Sequence, residues 1–165
     1  MSAVQAILME IKQEAPATRR LLERIPEAQF SWQPHPKAMN LGQLALHLAQ
    51  TPSLVAVFGG QDSIEVPKFE HATPASKAQV LETFEQSLAA AETALTAMPE
   101  STLAQTFRIE RNGKELMAIP KGAAIRAMSL NHGYHHRGQL STYLRTLDVA
   151  LPVVYGQSAD ENAFG

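Results

Sequence analysis

The chain is 165 residues long and carries 14 Lys and Arg against 16 Asp and Glu, a formal net charge of −2. That length suits one domain, residues 1–165, with a substantial core, and the charge argues against nucleic-acid binding as the main activity. There is no cysteine, so disulfides, a cysteine nucleophile and thiolate ligands are excluded, and any metal must be held by nitrogen and oxygen.

No apolar run is expected to reach the roughly 18 residues of a membrane span. No basic stretch precedes the apolar residues of Met1 to Lys12, so a signal peptide is not expected and a cytoplasmic location is the default.

Residues 2–25 predict a helix, because Val4, Leu8, Ile11, Ala15, Leu22 and Ile25 recur at steps of three or four, with a gap after Ala15. Pro16 removes a backbone donor and should kink this helix or split it, and Pro26 ends it. The prolines of Phe30-Ser31-Trp32-Gln33-Pro34-His35-Pro36 predict an extended loop, anchored by Phe30 and Trp32.

Asn40 is the candidate N-cap of a second helix, in which Leu41, Leu44, His47 and Leu48 share one stripe. Thr51-Pro52 marks a kink or restart, and Gly59-Gly60 the end. Residues 61–75 read as a loop. Ser76 with Gln79 fits a capping box for a third helix, which runs to about Met98 on Val80, Leu81, Phe84, Leu88, Ala91 and Leu95.

Thr106 to Arg111 alternates apolar and polar, and Asn112-Gly113 is a turn signal. A lone hairpin is marginal, so 103–119 is expected to be an irregular crossover with some extended character. A fourth helix starts near Pro120 and reaches about Leu147, with Ile125, Met128, His132, His136, Leu140, Tyr143 and Leu147 inward. Residues 148–165 read as an extended tail. The expected fold class is all-α: a four-helix bundle with a long crossover before the last helix.

Three of the six histidines lie in Asn131-His132-Gly133-Tyr134-His135-His136-Arg137-Gly138-Gln139. His132 and His136 are one helical turn apart on one face, a spacing that fits a single metal ion. His135 points about a quarter turn from His136 and competes for the same role. With His47 on the inner stripe of the second helix, three neutral imidazoles converge if the faces meet. Three protein ligands leave room for water or substrate, as catalytic sites do. Affinity for an ion should then fall as pH drops through roughly 6.5.

The stretch His132 to Gln139, followed by Tyr143-Leu144-Arg145, resembles the last-helix signature of the DinB-like, or damage-inducible, superfamily. Leu41-Gly42-Gln43-Leu44-Ala45-Leu46-His47-Leu48-Ala49 is similar to its second-helix motif, and Phe30 to Pro36 to the segment before it. The resemblance implies a divalent metal held by His47, His132 and His136, with His135 a neighbour. It also implies metal-dependent chemistry of the thiol S-transferase type, with homodimers, and carries no implication of DNA binding. With no cysteine in the chain, a thiol would come from a low-molecular-weight cosubstrate. Zinc and nickel lead the compatible metals, with iron and manganese also suited to imidazole.

Other residues carry narrower expectations. Arg137 is read first as a solvent-exposed charge and second as a partner of a carboxylate or anionic substrate. Gly138 is read as a site of close helix packing, Gln139 as a hydrogen-bond partner of a ligand histidine or as a pocket cap, and Tyr143 and Trp32 as core. His35 and His71 are read as solvated loop residues, either able to reach a pocket mouth. Val55, Val57 and Phe58 are the apolar residues offered for a dimer surface. The competing functions are a non-catalytic metal or small-molecule binding bundle and a purely structural interaction domain.

Overall fold

The structure, a computed structural model, describes residues 1–66 and 71–163. Four helical arms make the body of the molecule. The first is α1 (Ala3–Glu23). The second is α2 (Leu41–Gln50), a 3-10 turn (Thr51–Ser53) and α3 (Leu54–Gly60) in succession. The third is α4 (Lys77–Ala97). The fourth is α5 (Lys121–Ile125), a π-helical segment (Arg126–Asn131) and α6 (His132–Thr146) in succession.

Helix starts follow the caps read from the sequence. The Asn40 side chain accepts from Gln43 N, and Gln43 answers by accepting from Asn40 N, a full capping box. Ser76 accepts from Gln79 N, but Gln79 accepts from Ala75 N instead of the cap itself. Glu100 reaches across to the start of α1, where its carboxylate accepts from Ala3 N and Val4 N and faces the positive end of the helix dipole. Pro16 does not split α1, which is continuous through it.

The all-α expectation is corrected in one place. Residues 61–75 and 103–119 are not only loop and crossover: they supply a three-stranded sheet of β1 (Ser63–Glu65), β2 (Thr106–Arg111) and β3 (Lys114–Pro120). Asn112 and Gly113 turn the hairpin with φ of 53° and 73°, the left-handed pair that a two-residue type I′ turn requires. The hairpin is not alone, because β1 adds in parallel with Ile64 opposite Ile109. A third strand and an apolar face supply what a lone hairpin lacks: Phe107 is fully buried and its ring meets Phe58 edge-on at 5.1 Å. Lys121, also buried, ties the sheet to the bundle through Asp62 at 2.8 Å.

The core is in two parts. One gathers Leu21, Leu22, Leu44, Leu48, Leu140 and Leu144, and the other Ile7, Ile11, Val55, Phe58, Leu95 and Ile125. Between them runs a belt of buried polar side chains, one or more from each arm: Thr18, Thr51, Ser87, Ser129, His136 and Arg137. Among the described residues, every buried side-chain nitrogen and oxygen has a partner, as burial demands. Ser129 donates to Thr51 O at 2.9 Å, and Ser87 to Gln50 O at 3.1 Å.

Leu41–Gly60 is long and apolar enough to cross a membrane by length and composition, but 56% of that window is buried within the bundle, as in a core helix. Val55 and Phe58 are likewise buried inside one chain, so neither supplies a dimer surface. The tail 148–163 is strapped down: Val149, Leu151 and Val154 pack on the first core part, Glu161 pairs with Arg20 and Arg24, and Asp160 pairs with Arg145.

Candidate metal centre

α2 and α6 lie side by side, and the polar belt passes between them. His47 stands on α2, one turn before Thr51, and His132 and His136 stand on the first turns of α6. His47 Nε2 is 2.8 Å from His132 Nε2, which is 2.9 Å from His136 Nε2. One ligand nitrogen from each ring falls within 4.8 Å of the others. The stripes read from the sequence therefore do bring these three side chains together. His135, whose ring lies 5.0 Å from that of His136, stays outside the converging group.

The donor set fits a cation better than it fits a hydrogen-bond network. A ring nitrogen carries either one proton or one lone pair. His132 Nε2 faces two other nitrogens at hydrogen-bond distance, so one lone pair or one proton cannot serve both fully. Three lone pairs pointed at a common centre suit an ion instead. Gln139 sets one tautomer: its Oε1 lies 2.6 Å from His136 Nδ1. An amide oxygen only accepts, so Nδ1 carries the proton and Nε2 is left with its lone pair free for the centre.

Burial and the neighbouring imidazoles keep these rings neutral. His47 falls from 6.5 to about 4, first through desolvation and then through His136, His132 and His71. His136 also falls to about 4, through desolvation and the nearby His132, His135 and His71, against the opposing hydrogen bond that its Nδ1 donates to Gln139. His132 is lowered too, by burial and then His135. This moves the expected pH window down from 6.5. In the metal-free protein, imidazole NMR titrations of His47 and His136 are expected to have midpoints near pH 4. Between 6.5 and 4 the unfolded chain takes up protons that the folded one refuses, so stability of the metal-free protein falls with falling pH across that window. Midpoints near 6.5 for both rings overturn this reading.

His47 and His132 line a cavity of about 450 Å3. β1 and β2 wall it through Ile64 and Ile109, so the sheet that the sequence concealed helps to build the site. His71 stands at its mouth, exposed, with its ring 5.5 Å from that of His47 and its carbonyl accepting from Gln43 Nε2. His35 lies in its loop, where its Nδ1 accepts from Lys37 N at 3.1 Å.

Three sequence expectations around the histidines change. Arg137 is 3% exposed, not solvated, and it pairs with Glu14 at 2.6 Å between the rings of Tyr134 and Tyr155. Close packing falls on Gly133 and not on Gly138: a Cβ at Gly133 would stand 3.0 Å from Thr51 Oγ1, whereas one at Gly138 would meet open space. Met128 is 38% exposed and leaves the inner stripe, because the π segment alters the helical phase and sends Ser129 and Leu130 inward. Tyr143 is partly buried as expected, with its hydroxyl donating to Met39 O and its ring edge-on to Trp32.

The arrangement has relatives. Residues 10–140 match the family model of the DinB superfamily. The uncharacterized protein YrdA of Bacillus subtilis (strain 168) is 24% identical over 151 residues, 90% of this chain and 85% of YrdA. A DinB-like protein from Bacillus cereus ATCC 10987 superposes with a TM-score of 0.71 at 21% identity, over 92% of this chain and 97% of that one. The DinB-like protein YjoA from Bacillus subtilis gives 0.68 at 18% identity, over 90% and 96%. These structures share the fold, and the family match takes in every histidine of the cluster as well as part or all of each helical arm: the chain belongs to the DinB superfamily.

Proposed function

We propose that the protein is a metal-dependent enzyme that activates a small-molecule thiol, with His47, His132 and His136 holding one divalent ion, zinc or nickel foremost. The observation that carries this is the convergence of three Nε2 atoms beside a cavity large enough for a substrate, which His47 and His132 line. Three neutral ligands would leave a bound ion a further position for water or substrate. When bound, the ion supplies Lewis acidity that lowers the pKa of a coordinated thiol. The chain's own part is to orient His136 through Gln139, keep the imidazoles unprotonated by burial, and shield the thiol from bulk water with the cavity walls. A homodimer, on the family resemblance, and a cytoplasmic setting, on the absence of a signal-peptide pattern, belong to the same proposal.

Elemental analysis of untagged protein comes first, and about one divalent ion per chain is the expected result. Turnover of a thiol with an electrophile, lost on chelation and restored by metal, supports the enzyme. Bound metal without turnover across a panel of thiols and electrophiles favours a non-catalytic binding bundle, and absence of metal removes the metal-dependent enzyme while leaving a small-molecule binding bundle. Sedimentation that shows only monomer in concentrated solution counts against the dimer.

Gln139→Leu tests the support of His136. Its loss frees the imidazole to rotate and to change tautomer. Metal affinity, measured by competition with a chelator, is expected to fall about 10–100-fold. Unchanged affinity would show that the amide only fills space.

A further inference from the structure

The cavity beside the histidines also limits what it admits. Leu46 of α2, Leu54 and Phe58 of α3, Ile64 of β1, Ile109 of β2 and Met128 of the π segment line it. Its remaining described wall includes the amides of Gln43 and Gln50 and the hydroxyl of Thr51. Every described residue that lines it is apolar, a neutral amide or hydroxyl, or a histidine. A carboxylate carried among these described residues gives up hydration and meets no charged side chain of opposite sign there, which is costly. An uncharged hydrocarbon body gains by leaving water. The volume of about 450 Å3 is that of a small-molecule site.

We infer that the ligand of this cavity is a small molecule with an uncharged, apolar body, and that carboxylate-bearing thiols are selected against. This rests on the proposed reading for the histidine side of the cavity, where a thiol would meet the metal; the other walls stand apart from it. The selection follows from what surrounds the body of the ligand, while the metal would bind the sulfur of either kind of thiol.

Two matched pairs of probes separate these contributions. Phenylmethanethiol and 4-(mercaptomethyl)benzoate differ by one carboxylate, and calorimetry on the zinc-loaded full chain reads their affinities. The neutral thiol is expected to bind about tenfold tighter or more. Toluene and 4-methylbenzoate, which have no thiol, make the same comparison on metal-free protein, and toluene is expected to be preferred there too. Met128→Arg places a cation at the cavity wall from a half-exposed position and is expected to narrow or reverse both preferences. If zinc fails to bind but toluene is still preferred, the metal reading fails and the inference about the walls survives. Equal or tighter binding of the carboxylates by the unaltered protein, or no binding of any probe, overturns the inference.

Discussion

Alanine at His47, His132 or His136 is expected to abolish stoichiometric metal binding, while His135→Ala leaves it near normal. The Nε2 atoms of the first three crowd one point, with His132 Nε2 2.8 Å from His47 and 2.9 Å from His136. Removal of one leaves two protein ligands, below the three of a catalytic site. His135 contributes no atom to the group. Metal content after dialysis is the measurement, with circular dichroism to confirm that each variant is folded. Loss of binding in His135→Ala with retention in His136→Ala would place the site elsewhere on α6. No change in any of the four would end the metal proposal.

Arg137→Leu is expected to give the largest loss of stability. The guanidinium is 3% exposed, and its carboxylate partner Glu14 is 19% exposed. It also bonds Thr18 Oγ1 at 3.3 Å and the Tyr155 hydroxyl, and lies 5.1 and 4.8 Å from the centres of the Tyr134 and Tyr155 rings. Leucine fills the space but leaves the Glu14 carboxylate with the Tyr155 hydroxyl alone and no counter-charge from residue 137, which costs about 3 kcal/mol in a site this enclosed. At about 2–4 °C per kcal/mol for a chain of this size, Tm should fall by roughly 6–12 °C. Arg137→Lys keeps the charge but loses the fork and the stacking, so it should fall between. A change under 1 °C in Arg137→Leu would mean that the pair merely offsets its own desolvation.

The histidine cluster was legible because it obeys local rules. A one-turn spacing on α6 and an apolar stripe on α2 are both periodic signals, and the bond that His136 donates to Gln139 spans a helical step of three. The sheet was hidden for the opposite reason. β1 is three residues long and carries no period, and its partner Ile109 lies far along the chain. Parallel pairing between such distant short segments leaves almost nothing in a local window. Of the two readings of Arg137, the carboxylate partner holds and the solvated charge does not: arginine is exposed on average, and the partners that bury this one, Glu14 and Tyr155, lie on other parts of the chain. Gly133 and Gly138 look alike in sequence; only the approach of Thr51 tells them apart.

The π segment has a consequence for how the molecule could be altered. On a regular helix, seven residues bring a side chain back to within about 20° of its starting direction, so His132 would repeat the direction of Ile125. The widened turn amounts to one extra residue, about 100° of phase, and separates the two: Ile125 goes into the core beside Phe107, while His132 turns to His47. A deletion of three bases anywhere in codons 126–131 would restore the regular helix. α6 is buried at Leu140 and Leu144 and α5 at Ala124 and Ile125, so neither end of the arm is free to turn. With both ends fixed, a regular helix could not seat Ile125 in the core and turn His132 to His47 together, which makes the widened turn a phase adjuster between the core and the site.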